Sequence, residues 1–277
     1  MGLLAALRPG RAEAGAWTAE RGAFYLRAAA ARYTSTQEFD GAGDRHRLPL
    51  DGDFSDNHLG AYLEYGLLDR LTAVTSFSLK QLRYENKVRI VDSKGLGDID
   101  VALRARLASG HAGLLAAQFL TKFPSGYETD VSLPLGNGRR EYDARLLWGR
   151  GLFPLLPGYC GLEAGYRWRL GDPADEVHYL LVFGSDITAG FYFRSKLDGT
   201  RGRRNQKGFD ISGNPTVRGS ADLGVLDLAV GRRCGPHLAV EAGFTPALYG
   251  RTTTSGATAS LALAWSGQLG HHANRND

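Results

Sequence analysis

Alternation of apolar and polar residues with a period of two is the feature that most constrains how this chain can fold. Successive side chains of a β-strand point to opposite faces, so this alternation predicts strands with one apolar face and one polar face. In the segment 98–107 the apolar positions are Ile99, Val101, Leu103, Ala105 and Leu107. The alternate positions carry four charges, namely Asp98, Asp100, Arg104 and Arg106. Charges at this spacing argue against a helix packed in a core.

The same alternation recurs along most of the chain, and we predict about twelve antiparallel strands. They are 23–35, 56–67, 71–84, 96–107, 113–124, 140–150, 159–170, 176–185, 189–199, 218–230, 236–246 and 256–267. Single-chain outer-membrane barrels of bacteria have an even number of strands.

The connections between these segments alternate in length. Those after the odd-numbered segments are mostly long and polar, for example 36–55, 125–139 and 200–217, whereas those after the even-numbered segments are short. Transmembrane barrels have short periplasmic turns and longer external loops. We therefore predict that both chain termini are periplasmic.

The composition of the polar faces indicates which way the apolar faces point. The alternative fold is a soluble sandwich or a lipocalin-like form. A soluble sandwich would expose mainly Lys and Glu to water, but these faces mix Arg with carboxylates and interleaved glycines. Aromatic residues such as Tyr65, Trp148 and Trp265 lie toward the ends of apolar faces, as in an interfacial girdle. We predict an all-β fold, a single closed antiparallel transmembrane β-barrel of about 12 strands over residues 23–267, in the bacterial outer membrane.

Charged residues on the polar faces are the candidate lumen-lining and solute-binding residues. The predicted set is Glu64, Asp98, Asp100, Arg104, Arg106, Lys122, Glu141, Asp143, Arg145, Glu163, Arg167, Arg169, Arg194 and Glu241. We expect these charges to pair, because an unpaired charge in a partly dehydrated interior costs several kcal/mol.

Composition excludes several other classes of protein. The 277 residues contain no run of 18 apolar residues, which excludes a helical membrane protein. A hydrophobic content of 43% and a net charge of only +4 exclude a disordered chain. The 2 cysteines match no zinc or redox spacing, so we predict neither a metal nor a cofactor.

The chain ends are predicted to be tails. Residues 1–22 contain a short apolar stretch followed by a small-residue sequence resembling a signal-cleavage site, which indicates either a signal remnant or a periplasmic amino-terminal tail. Residues 268–277 are predicted to be a carboxy-terminal tail. Its His271 and His272 are expected to be frayed rather than to bind a metal.

The outer-membrane phospholipases need a His and a Ser two residues apart on one strand face. Only His111 has a serine at that spacing, Ser109, and both lie around the turn at Gly110. We predict that the chain is not an enzyme.

Two polar segments could indicate anion binding. The sequence SKGLGD at 93–98 resembles half of a phosphate-binding loop, but strand alternation follows it instead of a helix. The basic run 201–207 is predicted to be an external loop, where lipopolysaccharide is a candidate partner. Nucleic acid is not expected as a partner, because the aromatic residues lie on the apolar faces.

Several short motifs carry a resemblance to a known family. They are KGLGDI at 94–99, TKFPSG at 121–126, GNG at 136–138 leading into 142–148, and YLEYGL at 62–67 with Asp69. Over about residues 20–267 the chain resembles the outer-membrane transporters of the meta-pathway of phenol degradation, which are related to the fatty-acid transporters of the outer membrane. The resemblance implies a barrel of twelve or more strands that passes small hydrophobic or aromatic molecules across the lipid bilayer. A full amino-terminal hatch, which the larger fatty-acid transporters carry, is not expected in a leading segment this short.

The sequence is compatible with three hypotheses for function. The first is a channel for passive uptake of small hydrophobic or aromatic solutes. The second is a polar or anion-selective porin, of the nucleoside or acidic-sugar type, that uses the lumenal arginines. The third is a structural barrel whose lumen is blocked.

Overall fold

A computed structural model describes residues 15–171, 173–188, 190–203 and 220–269. The strands in chain order are β1 (Ala23–Ser35), β2 (Gln37–Phe39), β3 (Arg45–Arg47), β4 (Asp53–Leu68), β5 (Leu71–Glu85), β6 (Ile90–Gly110), β7 (Gly113–Phe123), β8 (Glu141–Gly151), β9 (Gly158–Arg169), β10 (Glu176–Thr188), β11 (Phe191–Gly202), β12 (Asp222–Arg233), β13 (Leu238–Arg251), β14 (Thr253–Thr254) and β15 (Ala257–Gln268). No helix in this described part of the chain is long and apolar enough to span a bilayer.

Twelve of the described strands form one closed antiparallel barrel. Each long strand pairs with the long strands before and after it in the chain. The first strand, β1, closes the ring by pairing with both β4 and β15, so that Ala29 lies opposite Gly60 on one side and Ala262 on the other. The predicted all-β barrel is confirmed.

The apolar faces of the strands point outward, as predicted. Leu103, Phe119, Leu146 and Leu263 are each more than half exposed on the outer surface. The alternate residues point into the barrel, where Asp143 is 0% and Glu141 1% exposed. In a soluble β-sandwich the apolar faces would be buried against each other. The observed arrangement is the reverse, so it excludes the soluble sandwich.

The strand boundaries differ from prediction mainly on the rim with the long connections. The segment 85–95 was predicted to be a loop, but β6 already begins at Ile90 and pairs with the end of β5. The prediction was wrong because residues 90–95 have no apolar face, although their backbones continue the hydrogen-bond ladder. In the predicted loop 36–55, β2 and β3 join β14 in a separate three-stranded sheet. Two residues of the predicted strand 218–230, 218 and 219, lie outside the described residues.

Substituting an outward residue should test the lipid-facing assignment. Leu146 lies in the middle of β8 and is 58% exposed, so Leu146→Arg should cost about 2–4 kcal/mol of unfolding free energy in lipid vesicles. Leu155, in the turn after β8, is 88% exposed and is the matched control, because Leu155→Arg places the same charge outside the apolar belt. Urea unfolding in vesicles measures both variants. Equal costs, or no cost at Leu146, would contradict the assignment.

Candidate functional site

A network of ion pairs covers the inner wall formed by β8 and β9. Asp143 lies opposite Arg167 in the strand register and accepts a hydrogen bond from its Nε at 3.3 Å. The Nε of Arg145 donates to the other Asp143 oxygen at 2.6 Å. Arg145 also approaches Glu163 on β9, with 3.7 Å between Nη1 and Oε2. Two arginines and two carboxylates thus neutralise one another.

A second group continues this wall toward the rim with the long connections. Glu141 accepts a hydrogen bond from Nε of Arg169 at 2.9 Å and lies 3.3 Å from Nζ of Lys122. Both basic residues are its register partners on the adjacent strands β9 and β7. Nη1 of Arg169 also donates to Glu176 at 2.9 Å. Because every charge faces an opposite one, the predicted pairing is observed here.

The buried guanidinium of Arg104 connects β6 to three other parts of the protein. Its Nη1 donates to Glu64 at 2.9 Å and to the backbone carbonyl of Trp17 at 3.1 Å, and its Nε donates to Gln118 at 3.0 Å. The hydroxyl of Tyr62 donates to the same Glu64 carboxylate at 2.5 Å. These contacts fix Arg104 at the edge of the lumen.

The carboxylate of Glu241 organises the opposite wall. It accepts a hydrogen bond from Nε of Arg27 at 3.0 Å and another from the hydroxyl of Tyr192 at 2.7 Å. Nη1 of Arg194 lies 3.6 Å from the same carboxylate. Arg27 is absent from the predicted set, because the Ala-rich strand around it alternates only weakly.

Three predicted site residues, Asp98, Asp100 and Arg106, form no ion pair within the described ranges, so the expected pairing is not observed for them. Asp98 accepts a hydrogen bond from the hydroxyl of Tyr127 at 2.6 Å, and Asp100 accepts one from Ser76 at 3.3 Å. Burial and the Asp98 carboxylate raise the pKa of the Tyr127 phenol above its ordinary value, so this group remains a donor. Arg106 lies at the rim with the short turns, where its Nη2 donates to the carbonyl of Asp69 in the β4–β5 turn at 2.6 Å.

Glu176 and His178 were also absent from the predicted set. Nε2 of His178 lies 3.3 Å from Oε2 of Glu176, and its Nδ1 lies 3.3 Å from the hydroxyl of Thr200. Both residues occupy the polar face of the predicted strand 176–185, so the period of two was the signal that could have included them.

A cavity of 320 Å³ occupies the centre of the lumen and is lined by side chains from every strand between β4 and β13. Its charged lining includes Arg104, Arg145 and Glu163. Between these charges lies a buried apolar strip, Val74, Ala102 and Leu120, which are direct register neighbours on β5, β6 and β7. The cavity can therefore contact a small molecule through apolar surface and through hydrogen bonds.

Residues 16–20 of the predicted amino-terminal tail lie inside the barrel at the rim with the short turns. Ala16 packs against the inward residues Ala116 and Leu147, and the backbone N–H of Ala19 donates to Thr72 at 2.8 Å. Gly66 permits this close approach, because a Cβ at that position would overlap the backbone of Glu20. The segment narrows this end of the lumen.

An apolar cluster narrows the other end of the lumen. Leu133 and Leu135 of the β7–β8 loop pack against Leu48, Phe54 and Leu82, and all five are buried. The loop is held inward by the Tyr127–Asp98 hydrogen bond and by contact between the Asn137 amide and the Glu141 carboxylate. The central cavity consequently lies between two narrow regions of different chemistry.

Within the described ranges no group of three or more His, Cys, Asp or Glu side chains could hold a metal ion. Cys160 and Cys234 are both free thiols. His271, His272 and residues 204–207 of the basic run lie outside the described residues.

Comparison with known proteins shows the fold. An outer-membrane channel from Pseudomonas putida F1 superposes with a TM-score of 0.71 at 19% sequence identity, covering 92% of this chain and 100% of that one. The fold is an outer-membrane β-barrel. The NanC porin matches with a TM-score of 0.55 at 10% identity, covering 87% of this barrel chain and 98% of its own. The translocator domain of the autotransporter NalP from Neisseria meningitidis matches with a TM-score of 0.51 at 12% identity, with 89% of each chain covered.

Sequence comparison gives no further assignment. No family model matches the chain, and no curated protein sequence matches it significantly. The likenesses to solved barrels therefore describe architecture, and the chemistry of the site must be argued from its own residues.

Removing one carboxylate should show how strongly the inner pairs hold the barrel together. Glu64→Gln leaves the Arg104 guanidinium, 4% exposed, without its counterion and should lower the unfolding free energy by about 3–5 kcal/mol. Glu85→Gln is the control, because Glu85 forms a solvent-exposed pair with Arg83 and its loss should change stability little. Urea unfolding in lipid vesicles compares the two variants. Wild-type stability of the Glu64→Gln variant would show that this ion pair does not stabilise the barrel.

Proposed function

We propose that the protein is an outer-membrane channel for passive uptake of small hydrophobic or aromatic compounds. The observation that carries this proposal is the central cavity, in which the apolar strip Val74, Ala102 and Leu120 lies beside the ion-paired residues Arg104 and Arg145. A solute with apolar surface can contact this strip without separating any ion pair.

The charge balance of the lumen argues against an anion-selective porin. The fourteen residues predicted to line it comprise seven basic and seven acidic side chains. In the structure, Arg145, Arg167 and Arg169 each contact at least one carboxylate. Paired arginines offer little net field to an anion, because the neighbouring carboxylate cancels most of their potential at a distance.

The size of the cavity fits a small solute. A cavity of about 150 Å³ is large enough for benzene, so 320 Å³ admits a substituted single ring. The narrow regions at both ends limit passage to molecules of this order of size.

We infer the location and the orientation of the barrel from the same features. An outer apolar belt with a polar, ion-paired interior suits a barrel of the bacterial outer membrane. The short turns, together with the inserted residues 16–20, are assigned to the periplasmic side, and the small sheet β2–β3–β14 is assigned to the outside. The similar barrel from Pseudomonas putida F1 is an outer-membrane channel, which is consistent with this role.

Uptake by whole cells tests the proposal, since small aromatic solutes cross plain phospholipid bilayers unaided. Porin-deficient bacteria producing the protein should take up a labelled aromatic hydrocarbon faster than cells with an empty vector. Ala102→Trp should remove this gain, because Ala102 is 3% exposed and faces the cavity. Ala105→Trp is the matched control, because Ala105 lies on the lipid face of the same strand and its variant should transport normally.

Two results would contradict the proposal. Liposome swelling with an acidic sugar, combined with no gain in aromatic uptake, would favour the anion-selective porin. No uptake of either solute by well-folded protein would favour a structural barrel with a blocked lumen.

A further inference from the structure

A row of polar residues crosses the outer face of β1, β4, β5 and β6 near the rim with the long connections. Arg32 lies opposite Asn57, Asn57 opposite Gln81, and Gln81 opposite Lys94. We call these four residues the basic border patch.

The side chains of this patch point away from the lumen. Three of their chain neighbours point inward. Tyr33 hydrogen-bonds to Thr254 and packs on the apolar cluster, Leu82 is completely buried, and a Cβ at Gly95 would meet the side chain of Leu135 in the same cluster. Alternation therefore places Arg32, Gln81 and Lys94 on the membrane side, and all three are exposed.

The next row toward the middle of the barrel is apolar. Ala30, Leu59 and Leu79 are register neighbours, and the two leucines are 54% and 52% exposed. The basic border patch thus lies where the apolar belt ends. A ligand that covers both rows must carry anionic or polar groups directly attached to hydrocarbon.

The two basic residues of the patch lack counterions. Neither Arg32 nor Lys94 forms a hydrogen bond or an ion pair through its side chain with any residue in the described ranges. By contrast, the next outward arginine toward the rim, Arg83, lies 2.9 Å from Glu85 and 3.4 Å from Asp92. The positive charges of Arg32 and Lys94 are therefore available to an external anion.

We propose that the basic border patch binds the phosphate groups of a phosphorylated glycolipid, of the lipid A type, in the outer leaflet. This inference rests on the proposed outer-membrane orientation. Arg32 and Lys94 are three strand spacings apart, or about 14 Å, so they can hold separate phosphates of one headgroup. Guanidinium and ammonium groups bind phosphate by charge-assisted hydrogen bonds, and the amides of Asn57 and Gln81 add neutral donors between them. The acyl chains then lie over Ala30, Leu59 and Leu79.

Titration with purified lipids tests the patch. Native mass spectrometry of the detergent-solubilised protein should show that lipid A with two phosphates binds more tightly than its dephosphorylated form. The double variant Arg32→Gln with Lys94→Gln should weaken that binding at least about tenfold, whereas Arg32→Lys with Lys94→Arg should retain it. Inorganic phosphate should not displace the lipid.

The control removes two positive charges from the same rim, outside the patch. Arg47 and Lys87 both contact Asp51 in the connections, so Arg47→Gln with Lys87→Gln should leave lipid binding unchanged. The proposal is wrong if this control loses as much lipid binding as the double glutamine variant of Arg32 and Lys94, or if that double variant binds lipid A as the wild-type protein does. It is also wrong if the dephosphorylated lipid binds as tightly as lipid A, or if inorganic phosphate displaces the lipid.

The test is separable from that of the channel. The double glutamine variant of the patch should take up aromatic solute as the wild-type protein does, because neither residue faces the lumen. If the wild-type protein fails to transport while the lipid differences persist, the proposed transport function is wrong and the lipid site stands.

Discussion

The rest of this barrel depends on one constraint, which is that inward-facing side chains of opposite charge pair between neighbouring strands. The lipid side cannot hold these groups, and an interior that held them singly would carry a large desolvation cost. Asp143 with Arg167 and Glu141 with Arg169 are direct register partners, so pairing is built into the alignment of the strands. A slip of one residue would turn every such charge toward the acyl chains, which makes this register strongly specified.

The same constraint shapes the candidate transport site. Once the charges are paired along the wall, the inward positions between them are free to be apolar, and Val74, Ala102 and Leu120 form a strip across three strands. The lumen then offers hydrogen-bonding groups and hydrocarbon surface side by side. An inserted chain segment narrows one end and an apolar loop cluster narrows the other, so the cavity is bounded on both sides.

The parts of the structure that depend on local alternation could be predicted from the sequence, and the parts that depend on distant contacts could not. The period of two located the barrel strands and placed Glu163 and Asp143 inside. It could not reveal that Ala16 packs against Leu147, that Arg27 meets Glu241 across the β1–β15–β13 wall, or that Leu133 folds inward onto Leu48. These contacts join residues far apart in the chain, and no local pattern encodes them. Alternation also placed Arg106 on the polar face of its strand, but it could not reveal that the side chain bonds to the β4–β5 turn at the rim.

The central claim is that apolar side chains face lipid while the charged ones face each other. Adjacent residues Gln118 and Phe119 on β7 test it most directly, because one is buried inside and the other is exposed outside. Single cysteines at these positions, in a background with Cys160→Ser and Cys234→Ser, would carry a fluorophore in vesicles that contain a lipid-borne nitroxide quencher. We predict that the nitroxide strongly quenches the fluorophore at position 119 and quenches it little at position 118. Strong quenching at 118 with protection at 119 would contradict it.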